Sequence, residues 1–213
     1  ILQTLFPEAV LTTEEMLSEE TLVNALSWAD AAGIGPGLST GEAAEKELAC
    51  VLTQAKIPLV LDADALNILS KHPDWLKKGD TPKILTPHMG EMVRLSGHSM
   101  EELKQKPLEL AAAYAQEHEV ILVLKDARTV VTDGERIVLN TTGNNGMATG
   151  GSGDVLTGII TGLLAQGMAP FEAAVSGVYL HGLAGDRAAE NTGVRGMLST
   201  DLLKELPGVL KEG

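Results

Sequence analysis

Thr142-Gly143-Asn144-Asn145-Gly146-Met147-Ala148-Thr149-Gly150-Gly151-Ser152-Gly153-Asp154 runs a string of small residues into an apolar-striped segment, with one carboxylate at the joint. Val155, Leu156, Ile159, Ile160, Leu163 and Leu164 recur at the spacing of one helical face. That spacing predicts a helix beginning near Gly153 and packed against a sheet. First-turn amides lack intrahelical acceptors and sit at the positive end of the macrodipole, so such a terminus attracts anions. Four of the eight residues from Gly146 to Gly153 are glycine. That is more than a helix cap needs, and glycine costs backbone entropy unless something must come close to the main chain. Two readings of Asp154 stay open on this pattern, an N-terminal cap and a working carboxylate beside a bound phosphate.

Outward from this stretch, the chain alternates strand-like and helix-like runs without repeats or low-complexity tracts, so one domain spanning 1–213 is expected. Upstream, Glu14 to Leu26 and Glu42 to Ala55 read as helices. Ala29 to Ile34, Ile57 to Leu61, Lys83 to Leu85 and Val120 to Leu124 read as strands, followed by two more around the turn at Asp133-Gly134. Helices are expected near Asp154–Gln166, Pro170–Ala189 and Thr200–Leu206. Strand, polar or Gly-rich loop, then helix is the signature of an α/β three-layer sandwich, a mostly parallel sheet with helices on both faces. Ligands of such sheets bind beyond the carboxyl ends of the strands. The rim would therefore collect Gly35-Pro36-Gly37, Asp62 with Asp64, His88 with Glu91, Lys125 to Thr129, and Gly150 to Asp154.

Each of these residues also has a plainer structural reading. His88 fits a hydrogen-bonded loop histidine, Asp62 and Asp64 a turn former and a helix cap, Glu91 a first-turn acid favoured by the dipole, and Lys125 a solvated strand-end charge. Cys50 fits buried filler. The convergence of the motifs on one rim outweighs any of them singly.

Composition narrows the classes. Hydrophobic residues make up 44% but aromatics only 3%, so the core is aliphatic, as in helix-on-sheet proteins. A formal charge of -13 argues against nucleic acid and anionic membrane surfaces as partners, leaving room for a local nucleotide pocket. The lone Cys50 excludes a disulfide framework and a cysteine metal cluster, which suits a reducing cytoplasm. No stretch is long and apolar enough to span a membrane, and no signal-peptide pattern occurs in these residues.

Gly33-Ile34-Gly35-Pro36-Gly37-Leu38, Leu61-Asp62-Ala63-Asp64-Ala65-Leu66, Thr86-Pro87-His88 with Gly90-Glu91, and Asn144 through Leu156 together resemble the ADP- or ATP-dependent NAD(P)H-hydrate dehydratases of ribokinase-like fold. The likeness continues through Gly162 to Gly167 and His181-Gly182, and Met147 to Asp154 is similar to the bacterial, ADP-using branch. The resemblance implies a carbon–oxygen lyase of metabolite repair that returns hydrated NADH or NADPH (NADHX, NADPHX) to the reduced cofactor, with ADP giving AMP and phosphate. It implies Asp154 as catalytic group, with Gly151 and Gly153 holding the transferring phosphoryl. The nucleotide is expected on Lys125, Asp126, Ala127, Arg128, Thr129 and Gly153, and the hydrate near Gly37, His88 and Asp154. Mg²⁺ is expected, with Glu91 organising it through water, and ATP is the alternative donor to ADP. Partners would be the hydrate, the nucleotide and further copies of the chain in a homo-oligomer, commonly a tetramer. The small residues Ala173, Ala174, Gly177 and Gly182 suit either that contact or close packing on the sheet. A ribokinase-like vitamin-precursor or sugar kinase and a non-catalytic nucleotide-binding module remain the alternatives.

Two departures accompany the resemblance. The family's Lys-Gly-Ala is Lys125-Asp126-Ala127 here, and Asp126 is expected to point away from the phosphates. The family's opening strand and helix have no counterpart, so roughly sixty residues or more are expected to be missing, supplied by a separate chain or lost by cleavage.

Overall fold

The computed structural model describes residues 7–12 and 17–212. Its strands are β1 (Ala32–Ile34), β2 (Leu59–Leu61), β3 (Lys83–Leu85), β4 (Ile121–Leu124), β5 (Val130–Thr132) and β6 (Ile137–Leu139). They form one six-stranded sheet in the order β1-β2-β3-β4-β5-β6. β1 to β4 are parallel, and β5 and β6 add antiparallel, so the sheet is mixed but mostly parallel, as expected.

The helices are α1 (Glu19–Trp28), α2 (Glu42–Gln54), α3 (Ala63–Lys71), α4 (Met89–Ser96), α5 (Met100–Gln105), α6 (Pro107–His118), α7 (Ser152–Ala165), α8 (Pro170–Thr192) and α9 (Ser199–Glu212), with short 3₁₀ turns at Pro73–Lys77 and Asn145–Met147. The helix expected over Glu14–Leu26 falls partly outside the described residues. Its described portion is α1, which starts where Ser18 accepts a hydrogen bond from the Thr21 amide.

Strand alternation divides the core into two layers. Leu59, Leu61, Leu85, Leu122 and Leu124 face one side, where they pack with Leu48, Leu52, Leu66, Leu69, Met92 and Tyr114 from α2, α3, α4 and α6. Val60, Ile84, Val123 and Val131 face the other, against Leu156, Ile160 and Leu164 of α7 and Ala173, Ala174 and Val178 of α8. Successive strand residues point to opposite faces, so strands covered on both sides read as continuous apolar runs. Desolvating each of the Val, Leu, Ile and Met side chains here contributes about 1.5–3 kcal/mol before entropy is charged against it.

The small residues of α8 lie inside the chain. Ala173 and Ala174 are fully buried; a Cβ on Gly177 would fall 2.6 Å from Ile160, and one on Gly182 would collide with Thr142. Close packing thus accounts for them. No helix among the described residues is long and apolar enough to cross a membrane.

Candidate functional site

Backbone hydrogen bonds align the strand ends into a rim. The Asp62 amide donates to the Ile34 carbonyl (3.0 Å), Thr86 to Leu61 (3.1 Å) and Lys125 to Pro87 (2.8 Å), while His88 and Lys125 form an isolated parallel bridge. Each loop is thereby fixed one residue past its strand. Gly35 makes the first of these approaches possible. With φ +125° it is in a region that disfavours side chains, and a Cβ there would strike the Asp62 carbonyl.

The plain readings of the two aspartates are corrected by this geometry. Asp62 stands at the cap position of α3, yet its side chain makes no cap bond. It is 2% exposed, with Oδ1 2.7 Å from Lys125 Nζ and Oδ2 accepting from Thr157 Oγ1 at 2.9 Å. Lys125 is correspondingly paired and only part-exposed. Asp64 accepts from the Ser39 amide (2.8 Å) and ties down the loop carrying Gly37, which is itself exposed on the rim.

The Gly-rich stretch does start a helix, one residue earlier than expected. Gly151, in the left-handed region at φ 84°, is the cap residue and supplies no side-chain hydrogen bond. Asp154 occupies the third helical position and is exposed, and among the described residues its carboxylate has no hydrogen-bond partner, so the cap reading of Asp154 does not hold. The amides of Gly153 and Asp154 likewise have no acceptor among the described residues. A Cβ built on Gly153 would lie 3.3 Å from Lys125 Nζ and 3.5 Å from Asp62 Oδ2. The ion pair is thus seated directly against the helix start.

His181 of α8 braces this terminus from behind. Its Nε2 lies 3.0 Å from the Ser152 carbonyl and 3.2 Å from Ser152 Oγ. Burial, with a further contribution from Lys125, pushes its pKa down to about 4 against the opposing Ser152 hydrogen bond, so the ring is neutral. Asp186 holds the preceding loop, accepting from the Gly143 amide (2.9 Å) and Asn144 Nδ2 (3.0 Å).

His88 and Glu91 form a reciprocal capping box on α4. His88 Nδ1 accepts from the Gly90 and Glu91 amides, and Glu91 Oε2 accepts from the His88 amide at 2.8 Å. Nδ1 as acceptor puts the ring proton on Nε2, which sits 3.5 Å from Glu91 Oε1. Glu91 is 5% exposed. In the loop after β4, Asp126, Ala127 and Arg128 are exposed, and Arg128 donates to the Thr141 carbonyl (3.2 Å), joining this loop to the Gly-rich one. Thr129 accepts the Asn140 amide through its carbonyl.

The structure therefore brings together Lys125, Gly153 and, through the backbone bridge, His88. It leaves Asp154 and Gly37 solvent-facing and commits Glu91 to its cap. Among the described residues, no three His, Cys, Asp or Glu side chains converge as a metal cluster. Thr157 and His181 carry no role in the sequence reading of the site. Thr157 was the findable one, a hydroxyl four residues beyond Gly153 on the buried face of an apolar helix.

A groove of about 480 Å³ runs beside Asp154 between α7, α8 and α9, floored by Val155, Ile159, Leu163, Leu180, Leu206 and Leu210. A second cavity of about 340 Å³, at Lys83, Ile121 and Asp133, lies at the opposite ends of the strands, away from the rim.

Residues 2–208 match the family model described as NAD(P)H-hydrate dehydratase. The bifunctional NAD(P)H-hydrate repair enzyme Nnr of Moorella thermoacetica is 48% identical over 90% of this chain, which covers 36% of that protein. The ADP-dependent (S)-NAD(P)H-hydrate dehydratase of Neisseria meningitidis is 41% identical over 92% of the chain and 66% of its own length. The chain thus spans roughly a third to two thirds of these relatives. A solved ADP/ATP-dependent NAD(P)H-hydrate dehydratase from Bacillus subtilis, co-crystallised with ATP/Mg²⁺ and soaked with CoA, superposes with a TM-score of 0.83 at 33% identity, over 99% of this chain and 76% of that one. A mostly parallel, helix-covered sheet with a Gly-rich helix start that carries no side-chain cap among the described residues, matched along nearly its whole length, places the chain in the NAD(P)H-hydrate dehydratase family.

Proposed function

We propose that this chain carries the nucleotide-dependent dehydration of NAD(P)H hydrate, with ADP as phosphoryl donor. One observation supports this above the others: the Gly153 and Asp154 amides have no acceptor among the described residues, the Lys125 ammonium lies against the Gly153 position, and the Asp154 carboxylate has no partner among the described residues at the same helix start. The relatives' names supply the substrate and the donor. The match to the dehydratase family favours this reading over a kinase or a passive nucleotide module.

The hydrate's hydroxyl sits on a saturated ring carbon next to the ring nitrogen, and hydroxide leaves poorly. In the proposed reaction Asp154 takes the hydroxyl proton as its oxygen attacks the terminal phosphorus of ADP, and AMP departs. The α7 amides and Lys125 stabilise charge on the transferring group. Phosphate then leaves from the ring carbon, drawn off by the nitrogen lone pair, and loss of the neighbouring C–H proton restores the double bond. In this reading His88 Nε2–H would donate to the carboxamide or a phosphate, and Arg128 would meet the nucleotide's charge. Gly37 lets the hydrate lie against the backbone after β1.

Both oxygens of Asp62 are engaged by Lys125 and Thr157, and Glu91 Oε2 is engaged by the His88 amide. These donors do not fit a protein-built metal centre. Mg²⁺ would come with the nucleotide on its own phosphates, and no step above depends on it.

The test is an assay of the intact protein with NADHX and NADPHX, ADP and ATP in parallel. The expected result is recovery of near-ultraviolet absorbance with one phosphate released per cofactor restored. A stable phosphorylated product without restored cofactor would replace this reading with the kinase one.

A further inference from the structure

We infer that Asp62 is a positioning residue of the phosphate site, acting through Lys125: its buried carboxylate, pinned by Thr157, aims the ammonium at the first turn of α7. The inference rests on the proposed function for the identity of the anion, and on the geometry of these side chains for the rest.

Taking a carboxylate out of water is costly unless both oxygens find partners. Asp62 finds them in two directions at once, Lys125 on Oδ1 and Thr157 on Oδ2, which leaves its carboxylate no second orientation. The main chains on both sides of the pair are also fixed, Asp62 by its bond to Ile34 and Lys125 by its bond to Pro87. Only the four-carbon lysine stem retains freedom, and an unpaired lysine would spread over solvent rotamers. The ion pair removes that freedom. The Gly153 position then marks where the ammonium comes to rest: it lies 3.3 Å from where a side chain would begin, a tight contact that a Cβ here would press aside by a few tenths of an ångström. A charge fixed before an anion arrives needs no reorganisation when the phosphoryl moves, which is the form in which electrostatics accelerate a reaction.

The sign of the charge indicates what Asp62 does not do. A carboxylate next to phosphates repels them, so Asp62 does not raise ground-state affinity for nucleotide. Its contribution should appear in turnover and be absent from binding. A merely structural aspartate would show the opposite, losing folded binding sites in step with activity.

The experiment uses the full chain with Asp62→Asn, Lys125→Gln and the double variant, measuring kcat, KM for ADP, and ADP affinity and stoichiometry by calorimetry. The amide keeps the shape of the carboxylate and can still accept from Thr157. Expected are a fall in kcat per ADP-binding site of about tenfold or more in Asp62→Asn and ADP affinity equal to or tighter than wild type. The double variant should lose no more than Lys125→Gln alone, because a residue acting through another is not additive with it. Thr157→Val keeps both charges while freeing Oδ2. It should lower kcat per site with stoichiometry intact, and it decides the matter if a neutralised partner prevents folding. Wild-type kcat per site in the folded variants, affinity falling in parallel with kcat, or losses that multiply in the double variant would each overturn the inference while leaving the dehydratase reading intact. A wild-type chain that binds ADP but restores no cofactor would remove both.

Discussion

The first turns of α4 and α7 lie on the same rim of the sheet and treat their free amides in opposite ways. At α4, His88 Nδ1 takes the Gly90 and Glu91 amides, and Glu91 returns a bond to the His88 amide. At α7, a left-handed glycine stands where such a residue would be, no side chain caps the turn, and the Gly153 and Asp154 amides remain without acceptors among the described residues. Every helix start has the same dipole and the same orphan donors. A start can serve an external anion only where the chain withholds its own caps. Both starts carry a carboxylate at the third helical position, Glu91 and Asp154. The long Glu91 side chain folds back onto the cap and is buried, whereas Asp154 stays exposed.

The sharpest way to break this contrast is Asp154→Asn. The Asp154 carboxylate has no partner among the described residues, so stability should stay within about 0.5 kcal/mol while kcat falls about a hundredfold or more. Thermal melts and recovery of reduced cofactor check the two halves. Turnover near wild type would mean that the proton goes elsewhere.

Acid titration probes the brace behind α7. His181 has its pKa lowered from 6.5 to about 4, so the unfolded chain binds the extra proton first. Its stabilising contribution is complete above about pH 6.5 and is lost as pH falls towards 4. That loss should amount to something on the order of 3 kcal/mol. Urea unfolding at pH 7 and pH 5 should show a smaller decline in His181→Gln than in wild type, and equal declines would show that His181 is not buried neutral.

The smallest effect belongs to α4. His88→Ala removes the cap and should cost about 1 kcal/mol, and His88→Asn should recover most of it. In His88→Asn, KM for the hydrate should stay raised even with stability restored, since the amide caps without placing a donor where Nε2–H was. Full recovery of KM would leave His88 as a cap alone.

The α/β alternation was legible because aliphatic runs such as Leu59–Leu61 and Ile121–Leu124 are unmistakable when a strand is buried on both faces. α5 and α6 escaped the reading because Met100–Gln105 is short and mostly polar, while Pro107–His118 is alanine-rich and buries Ala111, Tyr114 and Ala115 rather than a stripe of large aliphatic side chains. The Gly-rich start of α7 announced itself by composition. The roles of Asp62 and Asp64 did not, because two aspartates two positions apart look alike in sequence and differ only in what they meet, Lys125 and Thr157 in one case and the Ser39 amide in the other.

By itself the sequence determined the layers, the rim and the glycine-rich helix start, since hydrophobic period and glycine density are local properties that any fold of this chain must respect. Only the tertiary structure decided which charges are used up and which are free. Lys125 is 63 residues from its partner Asp62, and Thr157 is 95 from the same carboxylate. Pairings at such separations are set by how the sheet stacks its strand ends, and no local pattern along the chain records them.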